Sequence, residues 1–149
     1  CAAHWERVGR GLSCGRTLGA SGGTVEGEAL DSLGYQTLAR VGDMFEDSGG
    51  KLSALRVDGG MSVNDWFCQF LADMLQTPVE RPRQVETTAL GAAFLAGLAV
   101  GVWDSIPELA GTWTQGRLFE PGMPADQRDV LVQGWHQAVK RTLTSTVAA

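Results

Sequence analysis

Basic charge is scarce in this chain, with 12 Lys and Arg against 17 Asp and Glu and a net charge of -5. A nucleic-acid partner normally leaves a basic patch or stripe. The scattered basic residues here argue against that class. Any anionic ligand would have to be met by backbone N–H groups, helix ends or a metal ion. Cysteine is limited to Cys1, Cys14 and Cys68, an odd number at spacings that fit neither a zinc framework nor a small disulfide scaffold. The expectation is reduced thiols in a cytoplasmic protein. No apolar run is long enough for a bilayer, which takes about 20 residues. The most apolar segment, residues 89–103, reads as a buried helix. No basic stretch followed by an apolar run and a cleavage site marks a signal peptide at the start. Walker loops, Ser-His-Asp order and paired metal ligands are all missing, so no catalytic residue and no metal ligand is assigned.

What is present is an ordinary hydrophobic share of 44%, 20 glycines and a length of 149 residues, which suits one domain with a core over residues 1–149. The opening Cys1-Ala2-Ala3-His4-Trp5, with no methionine and no leading strand, is expected to have been cut from something longer. Residues 4–23 are rich in glycine and read as loops around one irregular strand near 11–16. Arg7, Arg10 and Arg16 there could suggest a phosphate site, but arginines spaced along a loop in an acidic protein are more often solvated or paired with a carboxylate.

Thr24 is placed as the N-cap of a long amphipathic helix, with Glu26 and Glu28 in its first turn. Ala29, Leu30, Leu33, Thr37, Val41, Met44 and Phe45 recur at helical spacing, and Ser48-Gly49-Gly50 supplies the stop. Gly27, Gly34 and Gly42 weaken it. Residues 51–58 read as a short buried strand. A second helix starts at Ser62 or Asn64 and runs to Leu75, with Trp66, Phe67, Phe70, Leu71, Met74 and Leu75 on its apolar face and Cys68 as a core thiol. Thr77-Pro78-Val79-Glu80-Arg81-Pro82 is an extended segment suited to a sheet edge or a strand entry. Helix, strand, helix, strand implies parallel βαβ connectivity and an α/β fold. Residues 89–100 form a helix of small residues, fit either for tight packing or for lying beneath a nucleotide. Residues 105–109 make a capped turn and 118–121 a short extended piece. The last helix, 125–143, carries Val130, Leu131, Trp135, Val139 and Leu143 inward and His136 on its surface.

Between the first strand and the second helix lies Asp58-Gly59-Gly60-Met61-Ser62-Val63-Asn64. A glycine pair at a strand end permits positive φ and lets a ligand approach bare main chain. The same residues would also make a tight strand-to-helix turn with no ligand, and the pattern by itself does not choose.

The run Leu55-Arg56-Val57-Asp58-Gly59-Gly60-Met61-Ser62-Val63-Asn64-Asp65-Trp66, followed by Gln69-Phe70-Leu71-Ala72-Asp73, Val79-Glu80-Arg81-Pro82 and Glu86-Thr87-Thr88-Ala89-Leu90-Gly91-Ala92-Ala93, resembles the C-terminal part of the glycerol kinase family. That family lies within the FGGY carbohydrate kinases of the actin-like ATPase superfamily. The resemblance implies a ribonuclease H-like domain truncated at its N-terminal strands. It also implies transfer of the γ-phosphoryl of ATP to a primary hydroxyl of glycerol, with Mg2+ bridging the phosphates. Gly60 takes the position whose backbone lies against the nucleotide, and Asn64 the one that approaches adenine. Asp58 and Gly59 shape the turn, and residues 89–93 floor the cleft.

Departures from the family pattern stand at Ser13 and Arg16, where an aliphatic residue is usual, at Thr24 in place of His and at Gly27 in place of Arg. The catalytic base, the phosphate-binding turn and almost all glycerol contacts of the family lie N-terminal to this stretch. The resemblance therefore implies that glycerol is reached only through that other domain and that the fragment alone is inactive. A sheet edge left open by the missing strands would call for self-association or a partner chain. Another FGGY sugar or polyol kinase, and a non-catalytic nucleotide-binding module, are the alternatives.

Overall fold

The computed structural model describes Leu12, residues 22–50 and residues 52–143. The irregular strand expected near 11–16, Cys1, Cys14 and the arginines at 7, 10 and 16 lie outside the described residues. The chain divides into two compact units, one made of Cys1–Lys51 with Met123–Ala149 and the other of Leu52–Gly122.

In the first unit, α1 spans Gly22–Ser48. It opens before Thr24, which therefore sits inside the first turn and not at the N-cap as expected. The stop is as read: Gly49 takes φ 65, the left-handed conformation that a glycine after a helix adopts without a Cβ penalty. The apolar stripe is only half covered, since Leu33 is 40% and Met44 67% exposed. A Cβ at Gly27 or Gly42 would meet nothing, so no packing offsets the weakness of those glycines. Helix α5, Ala125–Thr142, brings Trp135 against Tyr35 of α1, the rings stacked with centroids 5.2 Å apart. Val130, expected inward, is exposed, while Leu131, Trp135, Val139 and Leu143 are half-buried. His136 is on the surface, as expected.

The second unit holds a sheet of order β1-β2-β3. Strand β1, Leu55–Arg56, pairs parallel with β2, Val79–Pro82, and α2, Asp65–Leu75, forms the crossover between them. The βαβ connectivity is thus as read. Strand β1 is shorter than the segment 51–58 suggested, and half-buried or exposed instead of buried. Pro78 and Pro82 explain the length: neither offers an N–H, so the parallel ladder closes after Leu55 N bonds Pro78 O and Val57 N bonds Glu80 O. Strand β2 is the middle strand and not an edge. It tolerates its prolines because they stand at its ends. Strand β3, Gln115–Phe119, runs antiparallel to β2 and begins ahead of the extended piece placed at 118–121. Its register skips Gly116, since Pro82 pairs Gln115 and Arg81 pairs Arg117. A Cβ at this bulge would lie 2.8 Å from the Arg83 nitrogen, which only glycine avoids.

The core lies between α2 and one face of β2 and β3. Val79 and Phe119, directly paired across the strands, are covered by Cys68, Leu71 and Met74, all 3% exposed or less. Phe67 and Phe70 complete that face, whereas Trp66, expected to join it, is 50% exposed and stacks on Phe70. Helix α3, Thr87–Ala99, does not join this layer. Gly97 alone is buried in it, and Leu95 and Val100 are 70% and 77% exposed, so the expectation of a buried helix fails. Small apolar residues permit close packing; they do not supply the partner. Its end is well built: Gly101 (φ 76) donates to Leu98 O and Val102 N to Gly97 O, a double closure of the last turn. The short α4, Ile106–Ala110, is capped by Ser105, whose hydroxyl accepts from Glu108 N, as read.

Candidate functional site

After β1 the chain turns at Asp58 and Gly59 and enters a 3-10 turn, Gly60–Val63, that leads into α2. Gly59 has φ 79 and ψ 177, a conformation essentially restricted to glycine. Its N–H donates to Val85 O at 2.9 Å, and its carbonyl accepts from both the N–H (3.0 Å) and the hydroxyl (2.7 Å) of Ser62. Gly60 has no such backbone demand. Instead, a Cβ built on Gly59 or Gly60 finds no heavy atom within 4 Å, so the pair faces open space and is not roofed by its neighbours.

Behind the turn the packing is dense. Ser62 is 2% exposed, and its carbonyl accepts from Arg81 Nη1 at 2.7 Å and from Cys68 Sγ at 3.2 Å. Arg81 also donates to Asp65 Oδ1 at 2.8 Å, and Arg117 donates to the other oxygen of the same carboxylate. Burial pushes the Cys68 thiol up, against the pull of Arg81 and Arg117, so Cys68 is a protonated core residue as expected. Asn64 caps α2, its Oδ1 accepting from Phe67 N at 3.1 Å, which leaves Nδ2 for another partner. On the far side, Asp58 accepts from Thr87 Oγ1, tying the strand exit to the first residue of α3.

Asp58, Gly59, Gly60 and Asn64 therefore lie along one continuous turn, with the start of α3 fastened to it through Val85 and Thr87. Of the residues placed as a floor, Ala89, Ala92 and Ala93 are exposed, and Leu90 and Gly91 half-buried. Sequence reasoning missed the support from Ser62, Arg81, Asp65 and Arg117. The serine could have been found, since a hydroxyl three residues after a turn residue often bonds back to it. The arginine contacts join separate elements, and no local spacing announces them. Among the described residues, no group of three or more His, Cys, Asp or Glu could hold a metal ion. No helix among them is long and apolar enough to cross a membrane.

Residues 17–100 match the model of the FGGY family of carbohydrate kinases, C-terminal domain. A glycerol kinase of Gluconobacter oxydans is 53% identical over 143 residues, covering 96% of this chain and 28% of its own. A glycerol kinase of Clostridium tetani is 49% identical over 142 residues, with 95% and 28% covered. The chain thus spans about 28% of the length of these relatives. Among solved structures, a Plasmodium falciparum glycerol kinase with ADP superposes with a TM-score of 0.80 at 32% identity, over 95% of this chain and 28% of that one. A xylulose kinase of Lactobacillus acidophilus, at 17% identity and TM-score 0.72, covering 92% of this chain and 28% of its own, shares the fold. The mixed α/β arrangement is that of the actin-like ATPase fold of these kinases. With the family model matching more than half of it, the chain belongs to the FGGY family of carbohydrate kinases, through the C-terminal domain.

Proposed function

We propose that this chain is the adenine-nucleotide side of an ATP-dependent glycerol kinase, with Gly60 against the nucleotide and Asn64 directed at the adenine. The observation that carries the reading is the open, side-chain-free main chain at Gly59 and Gly60, held rigidly from behind by Ser62. Gly59 supplies the turn conformation, Gly60 the close approach, and Asn64 an amide Nδ2 for a ring nitrogen while its Oδ1 caps α2. Asp58 fixes the strand exit through Thr87. Sequence identity near 50% to glycerol kinases favours glycerol over other acceptors, because the sugar-kinase neighbours at 17% identity speak only for the fold.

Phosphoryl transfer depends on positioning and on charge stabilisation at the phosphates. The turn offers bare backbone and an amide, and among the described residues no group of three or more His, Cys, Asp or Glu could hold Mg2+. No step through the metal is assigned to them. On this reading the 149 residues bind ATP or ADP but neither bind glycerol nor turn it over. A cytoplasmic location belongs to the same proposal, supported by the free buried thiol of Cys68. So does self-association, supported by the outer edge of β1, which no strand pairs among the described residues.

Calorimetric titration of the chain with ADP and, separately, glycerol tests the reading. Heat with ADP, none with glycerol and no glycerol phosphorylation with ATP and Mg2+ is the expected result. An absence of ADP binding, or turnover above background, contradicts it.

A further inference from the structure

The glycine turn projects from the top of α2, and one contact ties it to the sheet beneath. Arg81 on β2 and Arg117 on β3 are direct cross-strand partners on the face that α2 covers. Two guanidinium groups so placed repel each other unless an anion stands between them. Asp65, the first residue of α2, is that anion, with one carboxylate oxygen for each arginine. The two cations also lie over the same ring, Phe119, at 5.4 and 4.9 Å from its centroid.

The two arginines are not equivalent. The Arg117 side chain is 54% exposed and has the carboxylate as its hydrogen-bond partner. The Arg81 side chain is 17% exposed, and the same Nη1 that meets Asp65 also donates to Ser62 O at 2.7 Å. Ser62 in turn holds the Gly59 carbonyl through both its N–H and its hydroxyl. The charge-assisted bond from Arg81 to the Ser62 carbonyl, sheltered from solvent, is stronger than a neutral one. A two-bond path therefore runs from a side chain of the sheet to the backbone of the glycine pair. The bulge at Gly116 belongs to the same device, because it sets the register that brings Arg117 opposite Arg81.

We propose that Arg81 is a positioning residue for the nucleotide: through Ser62 it fixes the height and tilt of the Gly59–Gly60 backbone, with Asp65 holding its guanidinium in place against Arg117. This deepens the nucleotide reading above and rests on it. Arg81 does not touch the ligand. It acts through the turn, so its removal should loosen the turn and weaken nucleotide binding without disturbing the core of α2.

Arg81→Met keeps an apolar stem over Phe119 and removes every donor. Two readouts on this chain decide the matter: ADP affinity by calorimetry, and amide hydrogen exchange. Arg81→Met is expected to weaken ADP binding at least tenfold and to speed exchange at Ser62 and Asn64 by tenfold or more, with Ala72 and Met74 unchanged. Arg81→Lys, which keeps the charge and its donors on a shorter and less rigid side chain, should recover part of both. Asp65→Asn, a milder change should Arg81→Met not fold, is expected to weaken ADP binding several-fold in the same direction. Unaltered ADP affinity in Arg81→Met, or faster exchange spread evenly over α2 and the sheet, overturns the proposal. A wild-type chain that binds no ADP overturns the nucleotide reading instead, while the exchange pattern still decides whether Arg81 holds the turn.

Discussion

Replacing Gly60 by valine separates a binding defect from a folding defect unusually well, because Gly59 next to it provides the internal control. A Cβ at Gly60 meets no protein atom within 4 Å and the residue has no positive φ, so neither crowding at the Cβ nor backbone strain opposes the substitution. Exposed substitutions with no such conflict change stability by about 0.5 kcal/mol or less. Gly59 also faces open space, but at φ 79 and ψ 177 any side chain strains the backbone. Gly59→Ala should therefore cost about 1–3 kcal/mol. If the open space is where a nucleotide lies, the isopropyl group of Gly60→Val occupies it and ADP affinity falls tenfold or more, a loss of at least about 1.4 kcal/mol. Thermal unfolding and calorimetry on both variants check this: Gly60→Val is expected to melt like wild type and fail to bind, and Gly59→Ala to melt lower. Wild-type affinity in Gly60→Val would refute the placement of the ligand, and a large loss of stability would refute the claim that the space is empty.

Two other perturbations probe the frame around the site. At Gly97 a Cβ would lie 2.1 Å from the Trp103 ring, which is held edge-on to Phe94 at 5.2 Å. Gly97→Ala should destabilise the chain by about 1–3 kcal/mol through overpacking, and adding Trp103→Leu should return much of that loss, as read by urea unfolding of the single and double variants. Asp31 has its pKa raised from 3.8, first by burial and then by the nearby Glu28 carboxylate. The folded state thus binds its proton more tightly than the unfolded state, and this group's contribution to stability is fully present below pH 3.8 and lost as pH rises through the raised value. Asp31→Asn should leave stability unchanged in strong acid and raise it slightly near neutral pH, measured by denaturant titration across that range.

The sequence carried the local features well because their causes are local. The start of the second helix near Asn64, the stop at Gly49 and the capped turn at Ser105 each follow from residues within a few positions of one another, and the βαβ connectivity follows from the order of the elements. What escaped depends on partners distant in the chain. Nothing near Gln115 announces that it opens an antiparallel strand, since that strand exists by pairing with β2. Strand β1 looked long because an aliphatic run from Leu52 to Val57 leads up to the glycine pair, yet the ladder is limited by prolines more than twenty residues away. Trp66 and Val130 fit an inward helical pattern but face solvent, because periodicity defines a stripe and packing decides its width. At the site, the glycine pair stood out from its residue type, and Asn64 from the family resemblance. Arg81 did not, since its role arises from two acceptors on a different element.

The most direct test of the account is a titration of the isotopically labelled chain with ADP, followed residue by residue in its backbone amide spectrum. Shifts concentrated at Gly59, Gly60 and Asn64, with smaller ones at Thr87 across the Asp58 link, are predicted. A spectrum that stays still at those amides at saturating ADP, or moves only elsewhere in the chain, would contradict it.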